Sequence, residues 1–144
     1  MIEQGLRQEI NLVTTEAKNR RLEFITVEHL LIALLNIDEV LTFLRTKHIN
    51  INEMRAELEQ YIDSHTPVFP EDVDPDIVPS IGFQRILQRS VYQAHSAQKE
   101  SVNAMNVFVS IFSEKESHAV SMLKLNNISR LDVMEGISSQ LADT

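Results

Sequence analysis

The apolar run Leu30-Leu31-Ile32-Ala33-Leu34-Leu35 and the later run Val107-Phe108-Val109-Ser110-Ile111-Phe112 decide how this chain folds, because one overlays the other at a shift of 77 residues. Working outward, residues 6–35 overlay 83–112. Leu6 meets Phe83, Ile10 meets Leu87, Ala17 meets Ala94 and Ile25 meets Val102. Past a two-residue insertion near Ser113 the shift becomes 79. Phe43-Leu44 then falls on Met122-Leu123, Ile49 on Ile128, Met54 on Val133, Leu58 on Ile137 and Ile62 on Leu141. A duplicated unit without a duplicated catalytic constellation points to a docking surface before it points to an active site. Two copies are too few for a solenoid, so a compact pseudo-symmetric pair is expected.

With 144 residues the chain has the size of one domain and can bury a real core. No window approaches the roughly 18 uninterrupted apolar residues of a membrane span. Glu3 and Gln4 arrive at once, which is not the start of a signal peptide. The absence of cysteine excludes disulfides and thiolate metal sites and fits a reducing compartment. A formal charge of −8 argues against a phosphate-binding, nucleic-acid-associated role, which needs an excess of Lys and Arg.

All four prolines, Pro67, Pro70, Pro75 and Pro79, fall between Ser64 and Ser80, together with Glu71, Asp72, Asp74 and Asp76. Proline removes a backbone donor and biases the residue before it away from helix, so residues 65–80 form the connector between repeat one (1–64) and repeat two (81–142). A connector of this length is expected to be functional or mobile. Its acids read first as a solvated loop and second as an acidic docking strip.

The rest is helical by period. Ile2, Leu6, Ile10, Val13 and Ala17 recur at spacings of three and four, marking one helix face. Thr26 caps a helix over 27–35 that is apolar nearly all round and therefore central. Further helices are predicted over 38–47 and from Asn50 onward, then over 82–98, 104–112, 116–125 and 131–141. Asn103 and Ser129 stand where Thr26 and Asn50 stand in the first repeat. Three glycines and no sustained alternation leave little case for a sheet. The fold expected is all-α, eight helices as two four-helix repeats about a pseudo-two-fold axis.

No nucleophile elbow, phosphate loop or H-E-x-x-H motif occurs. Of the five histidines, His29 opens the central apolar helix and reads as a packed residue with a local hydrogen bond. His48, His65, His95 and His118 have no metal-ligand spacing. Surface charge near the repeat junction remains. Arg85 and Arg130 sit in first helical turns, where the dipole opposes a cation. Each is therefore held either by an intramolecular carboxylate or by one from a partner, for which the planar guanidinium fork is suited.

The segment from Glu23 to Leu35, EFITVEHLLIALL, resembles the signature of the Clp-type N-terminal domain, which precedes the ATPase rings of bacterial protein-unfolding machines. The stretches FQRILQR from Phe83, IFSEKES from Ile111 and SRLDV from Ser129 resemble its ClpA branch. The resemblance covers nearly the whole chain. It implies docking of the small adaptor ClpS, which delivers proteins with destabilising N-terminal residues for unfolding and passage to the ClpP peptidase. The positions matching adaptor-facing residues are Glu23, Val27, Glu28, Ser80, Arg85 and Arg130. ATP and Mg would belong only to absent ATPase modules, and this segment would be neither an enzyme nor a metal protein. A monomeric domain in the bacterial cytoplasm is implied, with no nucleic acid or membrane partner. Sister branches suggest the alternative of capturing unfolded polypeptide in a groove between the repeats. Ile81-Gly82 departs from the family's more polar helix start, and glycine weakens a first turn. The connector is also shortened and differs in sequence.

Overall fold

The computed structural model describes residues 1–142, and the side chains of residues 1–139. The pairing of Ile62 with the side chain of Leu141 therefore lies outside the described residues, as do Asp143 and Thr144. Repeat one comprises α1 (Gln4–Asn19), α2 (Val27–Leu34), α3 (Asp38–Thr46) and α4 (Ile51–His65). Repeat two comprises α5 (Ile81–Ser96), α6 (Ala104–Ile111), α7 (His118–Leu125) and α8 (Arg130–Ala142). The bounds of α1 and α5, and of α2 and α6, differ by the 77 residues of the apolar overlay.

The caps repeat as well. Thr26 and Asn103 each close a capping box, the third helical residue being His29 in one and Asn106 in the other. Asn50 accepts from the Glu53 amide and Ser129 from that of Asp132. The start of α7 lies at His118 rather than 116, because Ser117 caps it by accepting from the Val120 amide at 3.2 Å.

The ends of α1, α3, α5 and α7 follow one recipe. After α1 the amides of Arg21 and Leu22 bond back to Lys18 and Ala17, and Arg21 has a left-handed φ of 61°. Gln98, His48 and Asn127 take the same conformation after α5, α3 and α7, each with the same pair of backward bonds. These are Schellman terminations, usually completed by glycine but here by residues that bear a Cβ. They end the helices one or two residues before the predicted limits at 47 and 98.

Sheet pairing, for which the sequence offers little case, occurs among the described residues in one antiparallel bridge, Leu22 with Val68, and in two parallel places. β1 (Phe24–Ile25) pairs in parallel with β2 (Val78–Pro79), and Ile2 bridges Val102. The two are mates under the 77-residue shift. Ser80 N–H donates to Ile25 at 2.8 Å, and Glu3 N–H to Val102 at 2.9 Å. Each repeat thus lends the segment before its first helix to the other repeat. Such exchange ties the two repeats to each other through backbone hydrogen bonds.

The core lies between α2 and α6. Every α2 residue except Ile32 is buried, and every α6 residue except Asn106. Phe108 is fully buried, edge-on to Phe43 of repeat one at 5.9 Å and stacked on Phe112 at 6.0 Å. Helices apolar on nearly all sides must be surrounded, and here each covers the other across the pseudo-two-fold.

Candidate functional site

One edge of the domain gathers the start of α2, the start of α5 and the turn after α6. Arg85 on α5 meets Glu114 on that turn. Its Nε donates to Oε2 at 3.1 Å and to Oε1 at 3.3 Å, and its Nη2 donates to Oε1 at 2.6 Å. The carboxylate is 9% exposed, while the arginine side chain is 55% exposed. Hydrogen bonding to Glu114 raises the guanidinium pKa above its ordinary value. Glu114 grips one edge of the fork, so the guanidinium stands at the surface in a fixed orientation with further N–H groups turned to solvent.

Gly82 makes this arrangement possible. A Cβ at that position would stand 2.8 Å from Val27 Cγ2 and 3.1 Å from Glu114 Oε1. The residue that weakens a first turn on paper is what lets α5 close over Val27 and Glu114. Gly82→Ala gains up to about 1 kcal/mol of helix propensity. It also drives a methyl into a β-branched side chain with little freedom to turn, an overpacking cost of about 1–3 kcal/mol. The clash should win, lowering stability by about 1 kcal/mol in urea titration. A gain instead would show that Val27 yields.

The remaining sequence candidates divide. Ser80 caps α5, accepting from the Phe83 amide at 3.2 Å, and is half-buried. Glu23 is half-buried; its backbone bonds Pro67 and Val78, and no described residue pairs with its carboxylate. Val27 and Glu28 are not surface groups, at 6% and 7% exposure. Glu28 turns inward and accepts from the Ala119 amide at 3.0 Å, so it stabilises the N-terminus of α7. Burial makes any part these two play in docking one of support from beneath. Arg130 is exposed at the start of α8, and no hydrogen bond, ion pair or ring contact among the described residues ties it to the group around Arg85. The edge therefore unites Glu23, Val27, Ser80 and Arg85.

Sequence reasoning missed Glu114, which lies 29 residues from Arg85 and is visible only once α6 turns back toward α5. It also missed an apolar patch beside the arginine. Phe24 and Val78 are partners in the β1–β2 register and both exposed, and Ile81 follows at 69% exposure. The alternation of exposed Phe24 with buried Ile25 is too short to signal a strand.

Among the described residues a groove of about 530 Å³ runs between α1 and α4, lined by Glu9, Leu12, Glu16, Arg55 and Glu59 among others, and two more lie on repeat two and at the seam. One, about 550 Å³, is bordered among the described residues by Leu87, Val91, Tyr92 and His95 of α5. The other, about 350 Å³, runs between α3 and α8, with the Lys47–Asp132 ion pair at 3.4 Å on its rim and Phe43 at its base. Among the described residues no group of three His, Asp or Glu side chains could hold a metal, and no helix is long and apolar enough to cross a membrane.

Comparison with known proteins agrees with this architecture. Residues 1–126 match the family model of the Clp repeat (R) N-terminal domain. A ClpA homolog protein from Fuscovulum blasticum is 30% identical over 138 residues, 95% of this chain and 17% of that protein, so the chain spans about a sixth of the length of this relative. The Hsp104 N-terminal domain from Candida albicans superposes with a TM-score of 0.77 at 13% identity, over 94% of this chain and 87% of that one. A ClpV N-domain in complex with a VipB peptide superposes with a TM-score of 0.72 at 16% identity, over 99% and 88%. The repeat architecture and the family match lead to one assignment: the chain belongs to the Clp repeat N-terminal domain family.

Proposed function

We propose that this chain is the adaptor-docking module of a ClpA-like ATP-dependent unfoldase, taking up a ClpS-like adaptor that delivers N-degron substrates. The observation that carries the reading is the outward guanidinium of Arg85, held by the buried Glu114 carboxylate beside the unpaired Glu23 and the exposed Phe24, Val78 and Ile81. An arginine anchor next to exposed apolar side chains is the composition of an energetic centre in a protein interface. Family membership supports it, as does the VipB peptide held by a ClpV N-domain of the same fold. In this reading the segment has no catalytic or metal-binding role of its own. ATP, Mg and contact with a ClpP-like peptidase belong to the ATPase rings of a longer parent in the bacterial cytoplasm, and the isolated domain is a monomer.

Calorimetric titration with the cognate adaptor tests the proposal. One-to-one binding is expected. Arg85→Gln should weaken it about tenfold or more by removing the anchor. Glu114→Gln should weaken it less, because the guanidinium itself remains and the amide oxygen still accepts from it, although the amide NH2 cannot. Full affinity in an Arg85→Gln variant would remove the residue from the interface, and no binding by the parent chain would end the adaptor reading.

A second reading, direct capture of unfolded polypeptide, has the apolar groove along α5 in its favour. That groove lies on one helix of repeat two. The groove in the seam between α3 and α8 carries a charged rim instead.

A further inference from the structure

The connector is held in place, and its hold comes from Arg21. Left-handed at the end of α1, Arg21 reaches across the connector and donates from Nη2 to the carbonyls of Pro70 and Val73. Its own carbonyl accepts from the Phe69 amide at 2.8 Å. On either side Glu23 N–H donates to Pro67 at 2.8 Å, and Val78 N–H donates to Glu23 at 3.1 Å. Ile77 packs against the core. The carbonyls of Pro70 and Val73 are thereby held against a cation.

The side chains of that loop face the other way. Glu71, Asp72, Asp74 and Asp76 are all exposed, and none pairs with a cation or accepts a hydrogen bond among the described residues. Four like charges within six residues repel one another. The loop leads directly into Val78, which lies beside Phe24 in the sheet register, and then into Ile81. An anchored acidic rim thus borders an exposed apolar patch. Chemistry complementary to both is an apolar side chain flanked by Lys and Arg.

We propose that the connector is a steering rim for the partner of this face. The partner inserts an apolar group against Phe24, Val78 and Ile81, and its flanking cations approach Glu71, Asp72, Asp74 and Asp76. The inference rests on the adaptor-docking reading above and specifies the chemistry of the adaptor's surface. Carboxylates on a solvated rim act mainly on the association rate and on salt dependence, while a desolvated apolar contact acts on dissociation.

Stopped-flow or surface kinetics with the adaptor, from about 20 to about 500 mM salt, separates the two effects. For the parent chain the association rate should fall about tenfold over that range. A variant carrying Glu71→Gln, Asp72→Asn, Asp74→Asn and Asp76→Asn should associate about tenfold more slowly at low salt, lose most of its salt dependence and dissociate unchanged. Ile81→Ser should leave association unchanged and speed dissociation. The altered side chains are exposed, and circular dichroism checks that the fold persists. Equal association rates and equal salt dependence in parent and neutralised variant would overturn the steering rim while leaving adaptor docking intact. Unchanged dissociation of Ile81→Ser would overturn the apolar contact. Failure of the parent to bind the adaptor at any salt would overturn the docking reading, and the steering rim with it.

Discussion

Phe108→Ala should cost about 3–5 kcal/mol of unfolding free energy, the range for emptying a fully buried aromatic site. Phe108 is fully buried at the centre of α6, edge-on to Phe43 from the other repeat and stacked on Phe112. Removing it withdraws the ring that couples α3 to α6. The neighbours cannot collapse into the space, because α2 and α6 are confined on nearly all sides. The loss is a large part of the roughly 5–15 kcal/mol available to a domain. Urea titration followed by helical circular dichroism should show a lower midpoint in one transition with an unchanged slope. A single transition is the informative part, since Phe108 belongs to a core shared by both repeats. Separate transitions would mean that the repeats are stable independently.

Acid should destabilise the domain through His29, by about 3 kcal/mol between pH 6.5 and 4. The imidazole is 5% exposed, and its Nδ1 accepts from the Thr26 amide at 3.0 Å, which places the ring proton on Nε2. Nε2 is buried and has no hydrogen-bond partner among the described residues. Burial first, and the positive charge of Arg20 second, lower its pKa from 6.5 to about 4. In the unfolded chain the ring takes up a proton near pH 6.5, while in the folded domain it resists until about pH 4. Over that window the unfolded state binds more protons, so stability falls as pH falls and is fully present above pH 6.5. His29→Gln keeps a side chain able to close the capping box and removes the titration. Urea titrations at pH 7 and pH 4.5 should therefore show a smaller acid loss in the variant than in the parent. Equal losses would place the acid sensitivity in the carboxylates alone.

How far the sequence leads is set by the range of each interaction. Repetition of apolar positions is a property of the whole chain, so the eight helices and their pairing follow from the overlay of residues 6–35 on 83–112. The caps at Thr26, Asn50, Asn103 and Ser129 are contacts across three residues and are equally readable. Helix ends are less so. Arg21, His48, Gln98 and Asn127 do the work glycine normally does, and no composition rule marks an arginine or a glutamine as left-handed. The two-residue strands carry no alternation to detect.

At the candidate site the limit is sequence distance. Thr26 to His29 is a local reading, whereas Glu28 to Ala119 spans 91 residues. From the sequence Glu28 is a charged residue at a helix start and therefore a plausible surface contact. Its partner, the Ala119 amide in the first turn of α7, comes within reach only after folding. The sequence leaves Arg85 open between an internal carboxylate and a partner's. The structure supplies the internal one, Glu114, and still leaves the arginine side chain more than half exposed. Gly82 shows the same limit in backbone terms. Its missing side chain reads as a weak first turn until Val27 and Glu114 are seen against it.

The measurement that bears most directly on the proposed docking is amide chemical-shift mapping of the isotope-labelled chain during titration with a ClpS-like adaptor. Adaptor docking on the α2–α5 edge predicts shifts concentrated in residues 23–28, 78–85 and around Glu114, with the α5 groove from Leu87 to His95 unmoved. Shifts confined to that groove, or to the seam between α3 and α8, would contradict it.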